Sequence, residues 1–215
     1  MGLIHTPRTI VSIAKGLWKR RQGTVDWPGL GPDKPYVYNA RLGLFDVDYL
    51  GHLNNAAYLS HAELARWELT AANGMLTSML QSGTNFIVSG SCIRYRQEIR
   101  PVFRKFQVDT YVAGLDQRTI WMVQNFRYPG QNERIRAQMI VQGVAVQKTK
   151  GIIDPRSFFV DTVGMPSDLI ESVNLPITSD DTVEDVLERY SFLEKALRRA
   201  ATVDDELQKK EANKE

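Results

Sequence analysis

The stretch from Ala56 to Leu69 constrains the fold more than any other part of this 215-residue sequence. On a helix its apolar residues Ala56, Ala57, Leu59, Ala62, Leu64, Ala65, Trp67 and Leu69 point around the whole circumference rather than along one stripe. A helix that is apolar on several sides must be enclosed on several sides. It is expected to run from Asn54 to Asn73 and to stop at Gly74, which adopts a left-handed C-terminal conformation cheaply.

What encloses it can be read from the flanking segments. Tyr36 to Phe45 has strand character and ends in a turn from Asp46 to Gly51. A short helical stretch is expected at Leu76 to Gln81. Four extended segments follow: Asn85 to Ile99, Lys105 to Leu115, Thr119 to Tyr128 and Arg134 to Gln147. Their separators are short and rich in turn residues, so successive strands are antiparallel neighbours. The result is an α+β domain over residues 35–150, with about five antiparallel strands able to curl around one long central helix.

The flanks read differently. Residues 1–34 form a basic leader and linker: the first 25 carry no acid and five Lys or Arg. On a helix, Ile10, Val11, Ala14, Leu17 and Trp18 share one arc, with Arg8, Lys15 and Lys19 beside it. That pattern suits a mitochondrial presequence or a helix making peripheral membrane contact; a disordered basic leader is the alternative. The opening Met1-Gly2-Leu3-Ile4-His5-Thr6 also fits the loose myristoylation pattern. Trp27 to Pro32 reads as a linker. Residues 151–178 lack regular periodicity, and 179–215 read as an amphipathic helix opened by Asp181 and Glu184, with heptad spacing from Val183 to Ala200.

Composition narrows the chemistry. One cysteine excludes an intramolecular disulfide, and three histidines at 5, 52 and 61 cannot assemble a Cys/His metal cluster. The net charge of +2 gives no global reason to expect a nucleic-acid partner. No apolar run approaches the roughly 20 residues of a membrane span, so an intracellular protein, cytoplasmic or mitochondrial, is expected.

The chemistry-bearing segment is Phe45-Asp46-Val47-Asp48-Tyr49-Leu50-Gly51-His52-Leu53-Asn54-Asn55-Ala56-Ala57-Tyr58. It sets two acids and a glycine turn immediately before the N-terminus of an enclosed helix. The first backbone N–H groups of a helix lack intrahelical partners and favour negative charge. A thioester carbonyl placed there would be polarised, and a nearby carboxylate could attack it or activate water. Such a site needs no metal and no cofactor.

Asp48-x-x-Gly51-His52-x-Asn54-Asn55-x-x-Tyr58, followed by Glu63-x-x-Arg66, resembles the 4-hydroxybenzoyl-CoA thioesterase branch of the hotdog superfamily. Ser91 to Arg96 with Pro101 is similar to a subgroup of animal and fungal thioesterase-like proteins. The resemblance implies a hotdog fold, a homodimer, and hydrolysis of an acyl-CoA or acyl-carrier thioester. It implies that Asp48 is the catalytic carboxylate and that the Asn55 amide polarises the carbonyl. Gly51, His52, Asn54, Tyr58 and Glu63 are the implied substrate contacts. Two other functions fit the same resemblance: a silent thioester-binding or scaffold protein, and an accessory thioesterase of polyketide or peptide assembly.

The residues also carry plainer readings. Asp46 is read as a turn or capping residue, and His52 as a shaper of the loop. Asn54 either caps the helix or holds a water. Glu63 and Arg66 stand three apart, so an intrahelical ion pair competes with a role at the site. Cys92 is read as an inert core residue. Arg94, Arg96, Arg100, Arg104 and Lys105 form a basic cluster that suits phosphates, with Arg94 and Arg96 as substrate-binding candidates, or else a solvated strand face.

Overall fold

The computed structural model describes residues 2–23, 27–130 and 134–173. They belong to one compact unit, Met1–Asn174; the second unit, Leu175–Glu215, lies outside the described residues, and so does the expected heptad helix. The central helix, α2, runs from Asn55 to Ala72 and is followed by α3 at Met75–Ser82. The strands are β1 (Tyr36–Arg41), β2 (Thr84–Tyr95), β3 (Lys105–Leu115), β4 (Ile120–Arg127), β5 (Ala137–Gln147) and β6 (Gly151–Ile153). All pairings are antiparallel in the order β1-β3-β4-β5-β2, with β6 on β5. Bulges in β2 at Val88/Gly90 and in β3 at Val112/Gly114 add local twist where the sheet curls. The hotdog layout implied by the resemblance is thus present.

The core lies between α2 and the sheet. Leu64, Ala65 and Leu69 of α2 pack with Phe106, Val108, Phe126 and Val141 from three strands. The side of α2 away from the sheet is covered by a further helix, α1 (Gly2–Gln22). This double enclosure is why α2 is apolar around its circumference. Contact between the two helices is close at Gly16, where a Cβ would fall 2.3 Å from the Glu68 carbonyl oxygen and 2.7 Å from Ala71 Cβ.

Three local expectations are corrected. Trp27 to Pro32 is not a free linker: Leu30 forms a parallel bridge with Val112, held by Val112 N–H to Gly29 O at 2.8 Å and Gly31 N–H to Val112 O at 3.1 Å. Residues 151–173 are ordered by packing rather than by periodicity. Phe158, Phe159, Met165 and Ile170 join Met75, Met79, Leu115 and Ile120 in a second apolar cluster. Cys92 is exposed, because among the described residues β2 pairs only with β5 and much of its length is open to solvent.

Candidate active site

The loop between β1 and α2 is built by its own backbone. A 3₁₀ turn at Leu44–Asp46 leads into an antiparallel bridge between Val47 and Leu53. Asp48 N–H donates to His52 O at 3.1 Å, and Gly51 N–H returns to Asp48 O at 3.0 Å. Gly51 sits at φ 75°, a left-handed conformation that a side chain would strain. The Asp48 carboxylate is therefore presented on a closed loop. Its Oδ1 accepts from Leu50 N–H at 2.9 Å, and its Oδ2 lies 3.1 Å from His52 Nδ1. His52 Nε2 faces Glu98 Oε1 at 4.0 Å, and Glu98 in turn meets Arg100 at 3.4 Å. His52 thus orients Asp48 as well as shaping the loop.

The loop feeds directly into the start of α2. Asn54 is the N-cap: its Oδ1 accepts from Ala56 N–H at 2.8 Å, and its carbonyl accepts from Ala57 and Tyr58. The Asn54 side chain thus caps the helix. With those three amides satisfied, Asn55 N–H is the one amide of the first turn without an acceptor among the described residues. An unpaired donor at the positive end of an 18-residue helix is a ready anion or oxyanion site.

Below this loop lies a buried charge cluster that ties it to α1. Arg8 donates to both oxygens of Asp46, at 2.7 and 3.2 Å, and His61 Nε2 lies 3.2 Å from Oδ2. Gly43 N–H also donates to Oδ2, while the Asp46 carbonyl accepts from Asn54 N–H at 2.8 Å. Burial alone would raise the Asp46 carboxyl. The hydrogen bonds from His61 and Arg8, with the Arg8 charge, reverse this and hold it well below the usual carboxylate range. Burial lowers His61, outweighing its hydrogen bond to Asp46, so the ring is neutral near pH 7. Its Nε2 stands between Asp46 Oδ2 at 3.2 Å and Arg8 Nη2 at 3.1 Å, and its Nδ1 is buried without a hydrogen-bond partner among the described residues.

Both shifts make the fold sensitive to acid. A His whose folded pKa lies below its unfolded value of about 6.5 loses stability as pH falls below that value. The Asp46 contribution is complete above the unfolded carboxylate value near 4 and declines as pH drops further. Thermal midpoints are expected to be level above about pH 7 and to fall between pH 6.5 and 5, with a slope of at most about 1.4 kcal/mol per pH unit. A second decline follows below about pH 4. His61→Leu should abolish the first decline; its survival in that variant would assign it to another group.

Beyond the first turn of α2 lies an apolar cavity of about 590 Å³. Leu59 and Trp67 of α2, Met75 and Met79 of α3, and Phe86 and Met139 of the sheet contribute to its wall. Glu63 and Arg66 line it too, but not as an ion pair. Glu63 accepts from Trp67 Nε1 at 3.3 Å and lies 3.0 Å from His5 Nε2. Arg66 Nη1 donates to Gln124 Oε1 at 2.6 Å, and burial pulls its guanidinium down to about 10, still protonated at neutral pH. Tyr58, an expected substrate contact, is instead a core residue: it packs edge-on against Phe126 and Tyr95, and its hydroxyl meets the Ile99 backbone. Arg94 and Arg96 are exposed at the end of β2. The rest of that basic cluster is divided, with Arg100 on Glu98 and Arg104 over the Tyr128 ring.

Sequence reasoning missed Glu98 behind His52, the joining of Arg8 to Asp46 and His61, and His5 on Glu63. One signal was present: His5, Arg8, Ser12, Gly16 and Lys19 recur at steps of three and four, a small or polar stripe opposite the apolar arc of α1.

Comparison with known proteins bears on the fold and the family. The chain is 29% identical over 93 residues to Protein THEM6 of Xenopus laevis, covering 43% of this chain and 44% of that protein. It is 25% identical over 112 residues to Protein THEM6 of Danio rerio, covering 52% and 55%. The matched region thus spans about half the length of these curated relatives. Among solved structures, YbaW, a probable thioesterase from Escherichia coli, superposes with a TM-score of 0.55 at 17% identity, over 63% of this chain and 98% of that one. SAV2348 from Staphylococcus aureus, solved with CoA, gives 0.50 at 11% identity, over 68% and 90%. These two structures share the fold. The model of the thioesterase-like superfamily matches residues 42–210, from just after β1 onward, and the chain belongs to that family.

Proposed function

We propose that the protein hydrolyses acyl thioesters carried on coenzyme A or on a carrier protein. The observation that carries this reading is the unpaired Asn55 amide at the head of α2, next in the chain to a closed loop presenting the Asp48 carboxylate. The thioester carbonyl oxygen sits at the Asn55 N–H, where the developing oxyanion is stabilised. Either Asp48 attacks the carbonyl carbon, expels the thiolate and leaves a mixed anhydride that water hydrolyses, regenerating the carboxylate and releasing a proton to the thiolate, or it takes a proton from the attacking water and the departing thiolate receives that proton. His52 keeps Asp48 in position.

The acyl group enters the apolar cavity that begins one turn past Asn55, whose volume suits a chain or ring of modest size. Arg94 and Arg96, exposed near the β2 end, would meet phosphates of coenzyme A or an acidic carrier surface in this reading. The binding of CoA by SAV2348 supports the coenzyme reading.

The same reading includes a homodimer. β2 is a 12-residue strand with one neighbour among the described residues, and Ile87, Val88 and Tyr95 are exposed along it. A long apolar edge invites pairing, here with the β2 of a second copy, which would also close the cavity wall formed by Ile87 and Val88. Light scattering is expected to give twice the 24.4 kDa chain mass; a monomer would remove this part of the reading.

The test is thiol release from a panel of short, long and aromatic acyl-CoA thioesters and their carrier-bound counterparts. Turnover of at least one member is expected. Binding of thioesters without release from any of them would leave a silent binding protein, and release confined to carrier substrates would place the enzyme in chain assembly.

A further inference from the structure

α1 is mounted on the domain the wrong way round for an ordinary surface helix. Its small and polar face is the one that docks. Arg8 reaches Asp46, Lys19 Nζ donates to Glu68 at 2.6 Å and to the Tyr36 hydroxyl at 3.1 Å, Ser12 is buried, and Gly16 sits against the Glu68 carbonyl. These anchors fix the rotation of the helix about its axis. The opposite face carries the apolar arc, and it stays open: Ile10 is 62% exposed, Val11 52%, Leu17 41% and Trp18 60%. Amphipathic helices normally bury such a stripe against their own domain.

Two further observations bear on what covers it. The stripe continues onto α3, where Leu80 is 77% exposed, and a groove between the two helices is lined by Ala14, Leu17, Trp18, Arg20, Arg21 and Thr77. The charge around it has one sign. The first 25 residues contain no Asp or Glu, while Lys15, Arg20 and Arg21 are exposed beside the stripe.

We infer that the outward face of α1, together with Leu80 of α3, is a docking surface for an anionic lipid bilayer. Trp18, Leu17, Ile10 and Val11 enter the boundary between headgroups and acyl chains, and Lys15, Arg20 and Arg21 meet lipid phosphates and carboxylates. A second copy of the same face is disfavoured as the partner, since it would bring two wholly basic rims together. No helix among the described residues is long and apolar enough to cross a membrane, so α1 lies in the plane of the surface. The inference does not depend on the thioesterase reading.

The test is co-sedimentation of the full chain with vesicles of phosphatidylcholine alone and of phosphatidylcholine with about a quarter phosphatidylserine. Binding to the anionic vesicles is expected, at least about tenfold stronger than to the neutral ones and weakened by salt. Ile10→Ser with Leu17→Ser and Trp18→Ser should weaken it about tenfold or more, with helix content unchanged because the anchoring residues Arg8, Gly16 and Lys19 are left in place. Lys15→Glu with Arg21→Glu, which keeps the apolar stripe, should remove the preference for anionic vesicles. Absence of binding to either vesicle, or equal binding by wild type and the serine variant, overturns the inference. So does a fall in particle mass in the serine variant without vesicles, which would assign the stripe to contact between copies.

Discussion

Asp48→Ala is expected to lower kcat/KM for the best thioester of the panel by about two orders of magnitude or more, as removal of a catalytic carboxylate does. Asp48→Asn is the sharper version. It retains an acceptor for Leu50 N–H, and the loop is closed by backbone bonds among Asp48, Gly51 and His52 that do not involve the side chain. The loop should therefore survive, with an unchanged thermal midpoint, while the charge that attacks or activates water is gone. Substrate binding should change much less than turnover, because the Asn55 amide and the cavity are left intact. Equal rates in wild type and both variants would remove Asp48 from the mechanism and leave the unpaired amide as a binding feature.

Gly16→Val should lower stability through the α1–α2 contact. The added Cβ would stand 2.3 Å from a backbone oxygen of α2, which cannot swing aside. Either the helices part by a few tenths of an ångström or more, or the backbone distorts; overpacking of this kind costs about 1–3 kcal/mol. Full release of α1 is opposed, because it would strip Arg8 from Asp46 and Lys19 from Glu68, leaving two buried carboxylates without their cations. A fall in thermal midpoint of roughly 5–10 °C is expected for a domain of this size. Asp46 also accepts the Asn54 amide at the N-cap, so strain at α1 should reach the site and lower turnover as well. An unchanged midpoint would mean that α1 is not held against α2 in solution.

The sheet-around-helix architecture is legible in local composition and spacing, and so is the candidate loop ahead of α2. Apolar residues around the whole of α2 required an enclosure, and four strand segments with tight separators could supply one; both are local properties of composition and spacing. Asp48, Gly51 and Asn55 were legible for a similar reason, since a loop acid, a left-handed glycine and a helix start lie within eight residues and act through backbone close by. Only the tertiary structure decided which face of α1 docks. Hydrophobic burial by itself predicts the apolar arc, but α2 already carries Glu68 and Asp46 lies beneath the loop, and these buried carboxylates draw in Lys19 and Arg8. Burying a charge is costly unless it is paired, so the polar face turns inward and the apolar one is left outside. The same long-range pairing buried Tyr58 in the core, gave Glu63 and Arg66 separate hydrogen-bond partners, and put Glu98 behind His52. Partners separated by 38 to 58 residues leave no trace in local spacing, because the folded chain rather than the sequence brings them within reach.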